Sequence, residues 1–179
     1  MRRQMPTSQS HVCTHAALAL ASAMAARRYV SSDGDPAHTY LGVISQSIGE
    51  VRDVKNLVQQ LIVDAGQRHL IKGMKMSTAH LVYKALLREP ALFWVADDYG
   101  QMVQFARRQP SGLVSDALSV IAECYKSRHL FIDKDADPVA LKHYDDCTIY
   151  NPALTMFAFI SDDQVGAISK RSEIGRGAV

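Results

Sequence analysis

Leu92-Phe93-Trp94-Val95-Ala96-Asp97-Asp98-Tyr99-Gly100-Gln101-Met102-Val103-Gln104-Phe105 is the stretch on which the reading of the chain turns. Leu92 to Val95 and Met102 to Phe105 carry Val, Phe and Trp, side chains that suit a pleated, half-buried strand. Asp98-Tyr99-Gly100 between them has the chemistry of a hairpin turn. The stretch therefore reads as two antiparallel strands. Beside a helical N-terminal half, such a hairpin predicts an α+β fold, with N-terminal helices packed against a small antiparallel sheet and no regular βαβ alternation.

N-terminal to the hairpin, Met76 to Tyr83 also suits a strand. The competing reading is a helix capped by Thr78 that runs through Leu86 to Arg88 and stops before Pro90. Further back, Leu41, Ile44, Ile48, Val51, Val54, Val58, Leu61 and Ile62 recur at steps of three and four. That spacing predicts a helix with one apolar face, bent or divided at Gly42 and Gly49, opened by Asp35-Pro36 and closed by Gly66. Thr14 to Arg28 is almost entirely Ala, Leu, Met and Ser, with Arg27 and Arg28 at its end, and predicts another helix.

C-terminal to the hairpin, Pro110-Ser111 opens a helix with Leu113, Val114, Leu118, Val120, Ile121 and Tyr125 as its apolar positions. Asp133 to Pro138 is a turn-rich connection. Leu154 to Ile160 is an apolar strand, followed by a short one near Val165 to Ile168. A length of 179 residues fits one domain over residues 1–179, with 1–10 and 173–179 poorly ordered.

Composition narrows the function. A formal net charge of +2 argues against nucleic-acid binding driven by bulk charge. No run of 18 apolar residues occurs, so no membrane span is expected. Arg2 and Arg3 ahead of Ala16 to Ala26 superficially resemble a secretory signal. The apolar run is mostly alanine, however, with only Leu18, Leu20 and Met24 as bulk, and its polar lead is long. The three cysteines, Cys13, Cys124 and Cys147, form no CxxC pair and read as reduced thiols. His143-Tyr144-Asp145-Asp146-Cys147 is an incomplete ligand set and reads as a solvated loop. Neither metal nor cofactor is expected.

Three positions invite thiol chemistry. Cys13 stands at the start of the predicted Ala-rich helix, where the helix dipole and unpaired backbone N–H groups favour a thiolate. His80, if strand-borne, is a rigidly aimed base. Asp97 or Asp98, just past a strand end, can orient an imidazole, although both also suit a turn.

The order of these motifs resembles papain-like cysteine proteases of the YopT/AvrPphB type, which are bacterial effectors. Ser10-His11-Val12-Cys13-Thr14-His15-Ala16-Ala17-Leu18 is similar to the first family motif, and Ala79-His80-Leu81-Val82 to the second. The aromatic strand running into Asp97-Asp98-Tyr99-Gly100 is similar to the third. The resemblance implies a papain-like fold and a thiol hydrolase, either a protease or a deamidase or transamidase, acting on a protein substrate. Cys13 is then the nucleophile, His80 its partner, Asp97 or Asp98 the orienting acid, and Gln9 a contributor to the oxyanion hole. It also implies a chain made in a bacterial cytoplasm and secreted into a host cell as a virulence effector. A non-enzymatic protein-interaction or regulatory module is the rival reading.

Overall fold

The computed structural model describes residues 7–30, 32, 34, 37–45, 48–71, 76–97, 99–132, 148–162, 164 and 165. The first helix, α1 (Thr7–Ala25), starts earlier than its alanine content suggests, at Thr7. No glycine or proline lies within it to break the ladder. The segment read as one long helix divides: Tyr40–Ser45 is a strand, β1, and Ile48–Asp64 is a helix, α2. A 3₁₀ turn, Arg68–Ile71, follows. Asp35 and Pro36 lie outside the described residues.

Next comes α3 (Ala79–Arg88), which settles the ambiguity of Met76 to Tyr83 in favour of the helix. Thr78 is its N-cap, with the Leu81 N–H donating to Thr78 Oγ1 at 3.2 Å. Strand β2 (Ala91–Ala96) is as expected, but no hairpin follows it. Tyr99 starts a helix, α4 (Tyr99–Arg108), in which Tyr99, Met102, Val103 and Ala106 stand at i, i+3, i+4 and i+7. That helical spacing overrides the strand preference of Val103 and Phe105. Gly100, in the first turn of α4, permits a close approach: a Cβ there would collide with the Gln164 side chain.

The remaining elements are α5 (Leu113–Lys126), β3 (His129–Phe131), β4 (Thr148–Tyr150) and β5 (Ala153–Ser161). Beyond β5, the described residues 164 and 165 are helical, and the expected strand over Val165 to Ile168 otherwise falls outside the description.

Helices and strands are mixed, as the α+β expectation requires, but the main sheet is parallel. Its order is β1-β5-β2, with Tyr40 paired to Met156 and Ala91 to Ala153. The expected antiparallel sheet is thus corrected; among the described residues the antiparallel ladder is the small β3–β4 pair. Helices cover both faces of the parallel sheet. On one, Val12, Ala16, Ala19 and Ala23 of α1 and Val54, Val58 and Ile62 of α2 meet Phe93, Phe157 and Phe159. On the other, α3 and α5 meet Leu92, Trp94, Leu154 and Met156. Successive strand side chains point to opposite faces, so β5 supplies both cores at once.

Candidate functional site

Cys13 is the seventh residue of α1, not its first turn. An N–H this far into a helix bonds the carbonyl four residues before it, and the dipole effect fades beyond the first turn. The two physical reasons for a thiolate at Cys13, and for an oxyanion hole at its N–H, are therefore absent at this position. Gln9 lies one helical turn earlier in α1; nothing is described of its side chain. The Cys13 side chain is half-buried, beside buried Val12 on the α1–α2 face of the sheet.

His80 is the second residue of α3, so it is helix-borne and not strand-borne. Its helix buries Val82, Ala85 and Leu86 against the opposite face of the sheet. Cys13 and His80 thus stand on helices separated by the β-layer. Asp97 follows β2 directly, is half-exposed, and accepts an ion-paired hydrogen bond from Lys55 Nζ of α2 at 2.5 Å. Asp98 lies outside the described residues. The structure consequently brings Asp97 to Lys55, and does not assemble Cys13, His80 and Asp97 into one group.

Cys124 is the other thiol in the description. It is fully buried on α5, and burial, followed by the charge of Glu123, pushes its pKa up to about 12. Such a thiol stays protonated and is a packing group, not a nucleophile. Cys147 and His143 fall outside the described residues. Among the described residues no group of three His, Cys, Asp or Glu side chains could hold a metal ion. No helix among them is long and apolar enough to cross a membrane.

Two other surfaces stand out. The first is the outer side of α1. The helix carries no Asp, Glu, Lys or Arg along its length. Its inner stripe is buried, yet Thr14, Ala17, Leu18, Ala21 and Met24, spaced by three and four, are exposed. A surface helix ordinarily carries charged residues on its exposed face, whereas here that face holds Thr14 and four apolar residues. Leu57 and Leu61, one turn apart on α2, are also exposed, so the same helical layer carries further apolar bulk. The signal for this surface was present in the alanine-rich composition. The charge-free outer face became visible only when the inner stripe was assigned to the core.

The second surface is a cleft of about 290 Å³ at the C-terminal end of α1, lined among others by Arg27, Arg28, Gln67, His69 and Glu89. A shallower depression of about 860 Å³, lined by Asn56, Gln59, Gln60 and Arg68, shares His69 with it. Neither is lined by Cys13, His80 or Asp97.

No protein-family model, curated protein or solved structure matches this chain.

Proposed function

We propose that the chain is a non-enzymatic protein-interaction module that binds an apolar helix of a partner protein along the outer face of α1. The observation that carries this reading is the absence of charge on a helix face that is nonetheless exposed. The exposed positions from Thr14 to Met24 offer a ridge roughly 15 Å long at 1.5 Å per residue. Ala17 and Ala21 let another backbone approach closely, while Leu18 and Met24 supply the bulk that a partner pocket would bury. A charged partner surface would lose its hydration here and find no counter-charge. The partner face is therefore apolar.

The papain-like thiol hydrolase receives less support. It needs the Cys13 sulfur within hydrogen-bond reach of an imidazole aimed by an acid. The sheet lies between the helices of Cys13 and His80, and Asp97 is engaged by Lys55.

The test places a photo-crosslinking residue at Ala21 and, as a control, at Lys84 on α3, in the producing cell. The expected result is a defined partner crosslinked from position 21 alone, in which the joined peptide is an apolar helix. Leu18→Glu should abolish that product, and Cys13→Ala should preserve it. Crosslinking that survives Leu18→Glu, or is lost with Cys13→Ala, rejects the reading. A product joining two copies of this chain replaces the foreign partner by self-association.

A further inference from the structure

We propose that the cleft at the ends of α1 and α2 binds a phosphate monoester, with the phosphate held by Arg27, Arg28 and His69. Both helices end in a left-handed residue. On α2 it is Gly66, at φ +70°, the ordinary choice, with the Gln67 N–H donating to the Ile62 carbonyl and the Gly66 N–H to that of Val63. On α1 it is Arg27, at φ +62°, with the N–H groups of Arg28 and Tyr29 both donating to the Ala25 carbonyl. An L side chain is strained in this conformation, and glycine would relieve the strain. Strain of this kind points to a use for the side chain itself.

The two turns deliver their next residues to one place. Arg27 and Arg28 line the cleft from one side, and Gln67 and His69 from the other. Among the described residues Glu89 is the one carboxylate in the lining, against Arg27 and Arg28, so the described lining is net positive. Among the described residues neither arginine is held in an ion pair. Two planar guanidinium groups and an imidazole match a phosphate dianion, which accepts several charge-assisted hydrogen bonds at once. The adjoining depression adds Arg68 and the carboxamides of Asn56, Gln59 and Gln60. Carboxamides both donate and accept, which suits a polar organic body attached to the phosphate, such as a ribose with its base.

Offsetting the negative end of the α1 dipole also favours basic residues here. Arg28 alone would serve that purpose, and it does not require an arginine at the left-handed position. The cleft meets the partner face of α1 at Met24, but the groups that hold the phosphate are not those that bind the partner, so each reading is tested separately.

The test is an amide NMR titration of the full chain with inorganic phosphate, with AMP, and with potassium chloride at matched ionic strength. Phosphate is expected to give saturable displacements confined to Arg27, Arg28 and Gln67 to Leu70. AMP should bind about ten-fold tighter and extend them to Asn56, Gln59 and Gln60. Arg27→Gly should weaken AMP binding at least ten-fold while raising Tm by about 2–4 °C. Arg28→Gln provides a second variant if the first does not fold, and should weaken AMP binding similarly. Displacements that fail to saturate, or that chloride reproduces, overturn the site. So does parental affinity in a folded Arg27→Gly or Arg28→Gln chain. AMP binding no tighter than phosphate overturns the extension onto the carboxamides.

Discussion

Cys13 and Cys124 differ in burial, and the difference has two measurable consequences. Iodoacetamide at pH 8 should alkylate half-buried Cys13 in the native protein and reach Cys124 only on unfolding. Peptide mass spectrometry separates the sites, and equal native rates would contradict the burial argument. The second consequence concerns alkaline stability. An unfolded Cys ionises near 9.0, whereas folded Cys124 holds its proton to about 12. Between these values the unfolded chain binds fewer protons, so stability is intact below about pH 9 and falls as pH rises toward 12. Burial also raises Tyr40, Tyr83 and Tyr99, which act in the same direction. Tyr40 must stay protonated to donate to the Ile121 carbonyl, at 2.6 Å. Urea midpoints at pH 8, 9.5 and 11 should therefore decline steadily, and Cys124→Ala should flatten part of the slope. The packing role of Cys124 was legible from its place on an apolar helical face. The position of Cys13 within its helix was not, because an Ala-rich helix has no strong punctuation to mark where it begins.

At the scale of elements, caps were the most readable features. Gly66 closes α2 as expected, and Thr78 opens α3. Thr78→Ala should cost about 1 kcal/mol in urea denaturation, the usual worth of an N-cap. Gly66→Ala should cost about 1–2 kcal/mol, because its backbone is left-handed. No measurable loss from either would remove the capping argument. Spacing was less decisive where two periods competed. Tyr99, Met102, Val103 and Ala106 have a helical repeat, but Val103 and Phe105 also have strand propensity, and the adjacent Asp-Asp-Tyr-Gly imitated a turn. Tyr40–Ser45 erred the other way: Leu41 and Ile44 fit a helical step, yet the segment is drawn into the sheet by a six-residue register with β5. Tertiary pairing overrides local preference in such short segments. The Lys55–Asp97 pair that ties α2 to the end of β2 is part-exposed on both sides, so Lys55→Ala should cost no more than about 1 kcal/mol.

The whole molecule hangs on β5, whose residues Ala153 to Phe159 are buried without interruption. Phe157, fully buried and in edge-to-face contact with Phe159, joins α1 to the sheet. Phe157→Ala should cost about 3–5 kcal/mol, whereas Leu18→Glu on the exposed face should stay within about 0.5 kcal/mol. Comparable losses from the two would mean that the outer face of α1 is not free of the core. The run from Ala153 to Phe159, apolar except for Thr155, was itself a sign of a parallel strand covered on both faces, since a half-exposed antiparallel strand alternates. Local composition sufficed for the mixture of helices and strands, the caps at Gly66 and Thr78 and the charge-free N-terminal helix. These properties depend on residues within a turn or two of each other. Strand direction, the separation of Cys13 from His80, the cleft at two helix ends and the exposure of one face of α1 came only with the tertiary structure. Each depends on which distant segments share a sheet face, and pairing such as Tyr40 with Met156 leaves no local trace.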